Sequence, residues 1–200
     1  ARLSKLKEKK LKKMYILNDE EQMYRQYMQE SIEQAYDKTS DQPIETRSEV
    51  IQGTQQAHAE DLLDSPEDAT AYQSAKEEST RYIDFLLSED KALKSILNLK
   101  NIDDSIAHHG VSVATLSIAL AHSLELDKNA SMQDLTLGCL LHDLEQTNHP
   151  EINFKKPRSE FSDDELDIYL KHPQEALLNL NALEHIDQTV IQIICQHEEF

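Results

Sequence analysis

Eight of the nine histidines fall between positions 108 and 197: His108, His109, His122, His142, His149, His172, His185 and His197. Imidazole is the commonest metal ligand and the usual proton carrier near neutral pH. A half-chain enriched in it invites a search for consistent contexts, and four histidines have them. His109 heads H-G-V-S-V-A-T-L-S-I-A-L-A, with Val113, Leu116 and Leu120 following at helical spacing. That stripe predicts a buried helix face with His109 at its head, pointing inward, and His108 as its exposed neighbour. His142 and Asp143 close a run that is almost wholly apolar from Leu135 to Leu141. A His-Asp pair at the end of a buried helix is costly unless it is paired or bound to a cation. His172 sits in Y-L-K-H-P-Q-E-A-L-L, where Pro173 is suited to the start of a new helix. His197 ends V-I-Q-I-I-C-Q-H-E-E, another apolar helix finishing in a His-acid cluster. Helices that each deliver a histidine near an apolar face, backed by carboxylates, build nitrogen- and oxygen-rich metal sites in bundles. His122, His149 and His185 lack such contexts and are expected at the surface or behind the ligands. His58, alone between Ala57 and Ala59, reads as a surface or packed side chain.

The elements that must hold these side chains are helices, and the composition agrees. Only 3 Gly and 5 Pro in 200 residues leave few turns for a sandwich or barrel, so the chain reads as all-α. Residues 18–39, 45–64, 67–87 and 90–100 are expected to be helical. Met23, Tyr24, Tyr27 and Met28 share one face of the first, and the break TSDQPI follows it. Ser131 with Asp134, and Ser162 with Glu165, have the spacing of capping boxes. No catalytic motif appears in residues 1–100. Cys139 and Cys195 sit among aliphatics and exclude a disulfide scaffold or zinc ribbon, which points to a reducing, cytoplasmic compartment. No apolar run approaches a membrane span of about 20 residues, and no secretory signal is visible. The net charge of −18 and the absence of Trp argue against a nucleic-acid polymer as partner. Residues 1–13 run against that charge, with seven basic side chains and one acid. This arm reads as a solvated helix end or linker.

The four ordered contexts resemble the HD superfamily of metal-dependent phosphohydrolases, and within it the HD-GYP branch, which hydrolyses cyclic di-GMP. The resemblance covers about residues 100–200. It rests on His109 with Val113-Ala114, on Leu141-His142-Asp143-Leu144, on His172-Pro173 through Ala176-Leu177-Leu178, and on Gln196-His197-Glu198-Glu199. The phrase P-R-S-E-F-S-D-D-E before His172 resembles the branch's Pro-rich approach to that helix. The resemblance implies an HD-type helical bundle over residues 101–200, preceded by a helical region over 1–100. It implies a cyclic dinucleotide substrate and a dinuclear centre of iron or manganese. His109, His142, Asp143, His172 and His197 would be its ligands, with Asp143 able to bridge and Glu198 as an additional ligand or partner. His142 and Asp143 would carry the catalytic function.

The sequence departs from the branch at defined places. Glu145 and Gln146 stand where Gly-Lys is usual, so the lysine that assists phosphodiester cleavage is missing. Ser105 stands where some relatives carry a third-metal carboxylate, with Asp104 beside it but out of register. Glu198 replaces the second of two paired histidines. The Gly-Tyr-Pro segment and the last Asp ligand would lie beyond Phe200, so the domain is expected to be cut short on its C-terminal side. Two other readings fit the same residues: a phosphohydrolase of mononucleotides, and a catalytically weak cyclic-dinucleotide sensor.

Overall fold

The computed structural model describes residues 15–89, 91–99, 105–126 and 131–198. The basic arm, Asp104 and Glu199 lie outside them. Among the described residues the fold is all-α: α1 Glu21–Tyr36, α2 Ile44–Asp64, α3 Ala69–Ser88, α4 Ala92–Asn98, α5 Ile106–Ser123, α6 Met132–Leu141, α7 Asp163–Leu180 and α8 Gln188–Gln196. Short 3-10 turns at Leu144–Asn148 and Arg158–Glu160 fold the segment between α6 and α7. No helix among the described residues is long and apolar enough to cross a membrane.

Several helices start where a side chain satisfies amide groups that the first turn leaves without partners. Asp68 accepts from the amides of Thr70 and Ala71, Ser105 from His108, and Ser131 from Asp134. Ser162 and Glu165 form the full reciprocal capping box. The core is continuous across the chain. Ile51, Leu62 and Tyr82 from the first half and Ile118, Leu137, Leu140, Leu141, Ile191 and Ile194 from the second are all buried in one cluster. Within it the hydroxyls of Tyr82 and Thr115 hydrogen-bond at 2.6 Å, joining α3 to α5. Met23, Tyr24, Tyr27 and Met28 remain exposed on α1, whose buried residue is Ala35.

Two expectations are corrected. On α5, Leu116 and Leu120 are 55% and 61% exposed, and the buried face is Ala107, Val111, Ala114, Ile118 and Ala121. Both stripes have helical spacing, but the small-residue stripe permits a closer approach to α6. A Cβ at Gly110 would lie 3.0 Å from the Leu140 carbonyl oxygen, so the two backbones nearly touch. The same rotation buries His108, which is 8% exposed, and turns His109 outward. Pro173 lies inside α7 instead of opening a new helix.

Gly53 contrasts with Gly110. A Cβ there meets nothing within 4 Å, although the residue sits inside α2. Gly53→Ala is therefore expected to stabilise the fold by about 0.5–1 kcal/mol, read as a higher denaturation midpoint.

Asp187 fastens the start of α8 to α3. Its carboxylate accepts from Lys76 Nζ at 2.5 Å and from the Tyr72 hydroxyl at 3.0 Å. The Lys76 hydrogen bond outweighs the effect of burial and, with that from Tyr72, holds the Asp187 carboxyl below its usual range. A folded pKa below the unfolded one means that the contribution is complete above about pH 3.9. It is lost as pH falls through the folded value. Asp187→Asn is expected to lower stability near pH 7 by at most about 1 kcal/mol, because the pair is partly solvated. Denaturation curves at pH 7 and pH 3 check this: the difference between wild type and variant should shrink at the lower pH.

Candidate metal centre

The ends of α6 and α8, the middle of α7 and the first turn of α5 meet around one carboxylate. Asp143 follows α6 directly and is held by the turn that begins at Leu144. Its two oxygens face different histidines. Oδ2 lies 3.3 Å from His142 Nε2 and 3.8 Å from His109 Nε2. Oδ1 lies 3.4 Å from His172 Nε2 and 3.9 Å from His197 Nε2. The Nε2 atoms of His172 and His197 are 3.1 Å apart. Two potential metal-binding groups result, His109–His142–Asp143 and Asp143–His172–His197, and they share the aspartate.

Three of the imidazoles are oriented by the same device. His142 Nδ1 contacts the Cys139 carbonyl at 2.7 Å, His172 Nδ1 that of Tyr169 at 2.5 Å, and His197 Nδ1 that of Ile194 at 2.6 Å. In each case the acceptor is the carbonyl three residues earlier, and a carbonyl can only accept. In the neutral ring Nδ1 therefore carries the proton, which leaves the Nε2 lone pair to face the centre. In a continuous helix such a carbonyl is used by the amide four residues on. Cys139 and Ile194 lie in the last turns of α6 and α8, where carbonyls have lost that partner. Tyr169 lies mid-helix, but the residue four positions on is Pro173, which has no N–H. The proline frees the one carbonyl that His172 uses.

The electrostatics suit a cation. Burial, then the charge of His142, pushes the His109 pKa down, and burial also lowers that of His142. For Asp143, burial opposes ionisation, but the His172 hydrogen bond and the charge of His142 hold its carboxyl below the usual range. Burial lowers the His172 pKa, but its bonds to Asp143 and Tyr169 outweigh that and move it up, so an ion there would have to take the place of the proton on Nε2. Lone-pair nitrogens and a shared carboxylate, with no thiolate among them, match divalent transition ions of intermediate hardness.

The centre opens into a cavity of about 460 Å³ lined in part by His108, His109, His142, Asp143, Gln146, Phe154, Lys155, Tyr169, His197 and Glu198. Gln146 donates to Asp143 Oδ1 at 2.5 Å, so a neutral amide braces the carboxylate. Glu145 is buried between the amides of Asn148 and Asn179, both at 2.8 Å. Glu198 lines the cavity but lies outside both metal-binding groups. It accepts from Tyr169 Oη at 2.5 Å and Arg158 at 2.7 Å, so hydrogen-bond donors already engage its carboxylate. Ser105 caps α5 and also lines the cavity. His122 is exposed, His149 lies 3.5 Å from Glu151, and His185 Nε2 lies 3.0 Å from the Pro66 carbonyl oxygen. Sequence reasoning passed over Lys155 and Phe154. The available signal was the cation run Lys155, Lys156, Arg158 in an otherwise acidic chain.

No family model matches the chain. The cyclic di-GMP phosphodiesterase PA4108 of Pseudomonas aeruginosa is 31% identical over 114 residues, 57% of this chain and 27% of that protein. Among solved structures, Bd1817, a HDG"Y"P protein from Bdellovibrio bacteriovorus, matches with a TM-score of 0.90 and 46% identity. That match covers 99% of this chain and 64% of the other, so the chain spans less than two thirds of either relative. The likeness to the HD-GYP branch holds in sequence and in fold.

Proposed function

We propose that this HD-GYP-like chain carries the metal centre of a phosphodiesterase that opens cyclic di-GMP. The five side chains that would serve as ligands, His109, His142, Asp143, His172 and His197, fall in the second half of the chain, and helices α2 to α4 of the first half pack behind helices that carry them. The observation that carries the reading is Asp143, whose two oxygens each face a different histidine pair. His109 and His142 would hold one ion, His172 and His197 the other, with Asp143 spanning both. Iron or manganese suits this donor set. Such ions supply Lewis acidity toward a phosphodiester and a water made acidic near neutral pH.

The chain's own residues set the conditions for that chemistry. The Cys139, Tyr169 and Ile194 carbonyls keep three imidazoles in the tautomer that offers Nε2. Gln146 fixes the Asp143 carboxylate without adding charge. The cavity admits a small anionic substrate, and cations at its floor would reverse the sign that the acidic chain otherwise presents there.

The experiment is metal analysis of the purified chain combined with product analysis. Cyclic di-GMP should be converted to linear dinucleotide, with no phosphate released from nucleoside phosphates. Phosphate release from mononucleotides alone would move the substrate to that class. Metal and cyclic dinucleotide bound without turnover would make the protein a sensor.

A further inference from the structure

We propose that Lys155 is the phosphate-binding cation of this site, an assignment that rests on the phosphodiesterase reading. Among the described residues that line the cavity it is the only lysine or arginine, and it shares that lining with His109 and Asp143.

The loop around Lys155 is anchored on both sides. Before it, the Phe154 ring packs edge-on against Phe161 at 6.5 Å, and Phe161 packs on Tyr169 of α7 at 5.6 Å. After it, Lys156 binds both oxygens of Glu165, at 2.8 and 2.7 Å, and lies over the Phe161 ring. Asn153 Oδ1 accepts the Lys155 amide at 3.1 Å, which sets the turn. Of Lys155, Lys156 and Arg158, Lys155 is the one that lines the cavity.

A phosphodiester placed over Asp143 has non-bridging oxygens that face the cavity, where a further positive charge binds them. Gln146, the nearest side chain in sequence to the His-Asp pair within the cavity, is neutral and donates to Asp143. A lysine on an anchored loop at the same cavity provides a point charge whose backbone is already placed, so that only its side chain is ordered on binding. It binds and neutralises the phosphate, and no proton transfer is assigned to it.

The test uses the metal-loaded chain and two probes, cyclic di-GMP and inorganic phosphate, with affinities measured by calorimetry. Lys155→Met should weaken binding of both by about ten- to hundredfold, and Lys155→Arg should restore most of it. Lys38→Met removes the same charge from an exposed lysine paired with Asp84 and should leave both affinities unchanged. Metal content should be the same in all four proteins. Unchanged affinities in Lys155→Met, or an equal loss in Lys38→Met, would overturn the assignment. So would failure of the wild-type protein to bind either probe. Hydrolysis is scored separately. Lys155-dependent binding without linear dinucleotide as product would reject the phosphodiesterase reading and keep the cation.

Discussion

Under the proposed dinuclear phosphodiesterase, Asp143→Ala is expected to abolish binding of both ions at once and to lower phosphodiester hydrolysis by at least about a thousandfold. Each oxygen of this carboxylate faces a histidine pair, so neither group keeps an anionic donor when it is removed. Two neutral imidazoles alone hold a divalent ion weakly, and a cation buried without counter-charge is disfavoured. Single histidine variants should behave differently. His109→Ala should deplete one ion preferentially, because His172 and His197 keep Asp143 Oδ1. Asp143→Asn keeps the shape but not the charge, and should resemble Asp143→Ala in metal content. Metal analysis of the three variants, with circular dichroism to confirm folding, checks the ordering. Full metal content in Asp143→Ala would reject the shared carboxylate.

Gly138→Ala should cost about 1–3 kcal/mol and disturb the centre, although the change is one methyl group some distance from any ligand. Gly138 lies inside α6, where alanine is ordinarily the better helix former. Here a Cβ would lie 2.5 Å from Ile193 Cγ2 and 2.8 Å from Ile193 Cβ. Isoleucine is stiff at χ1, and its Cβ moves only with its backbone, so α8 must shift. His142 follows the last residue of α6 and His197 that of α8, and their rings are 5.0 Å apart. A displaced α8 therefore separates the two histidine pairs. The expected readouts are a lower unfolding midpoint and weaker metal retention. Adding Ile193→Ala to Gly138→Ala should recover both in part. No recovery would mean that the crossing of α6 and α8 does not set the spacing.

The two contrasted glycines show what a linear reading leaves open. Gly53 and Gly138 both sit inside helices and look alike in the sequence. The space around each decides that alanine helps at one and harms at the other. The α5 stripes make the same point. Leu116 and Leu120 form the more hydrophobic pattern, yet the Ala107–Val111–Ala114–Ile118 face is buried. Periodicity reports that a helix has an apolar face, whereas close packing selects the face that fits.

The all-α class, the capped starts at Ser131 and Ser162, and the four histidine contexts were legible in the residues, because caps and helical spacing are local properties. The resemblance to the HD-GYP branch was legible for the same reason, since its motifs are short and ordered. Other features depend on residues far apart in the chain, and only the tertiary structure decided them. It assigned one oxygen of Asp143 to each histidine pair, and it engaged Glu198 with Arg158 and Tyr169. It set Lys155 at the cavity beside His109, and it placed Pro173 mid-helix, where its missing N–H frees a carbonyl for His172. Side-chain direction depends on which helix faces meet and how closely, and that is settled by packing across the whole chain.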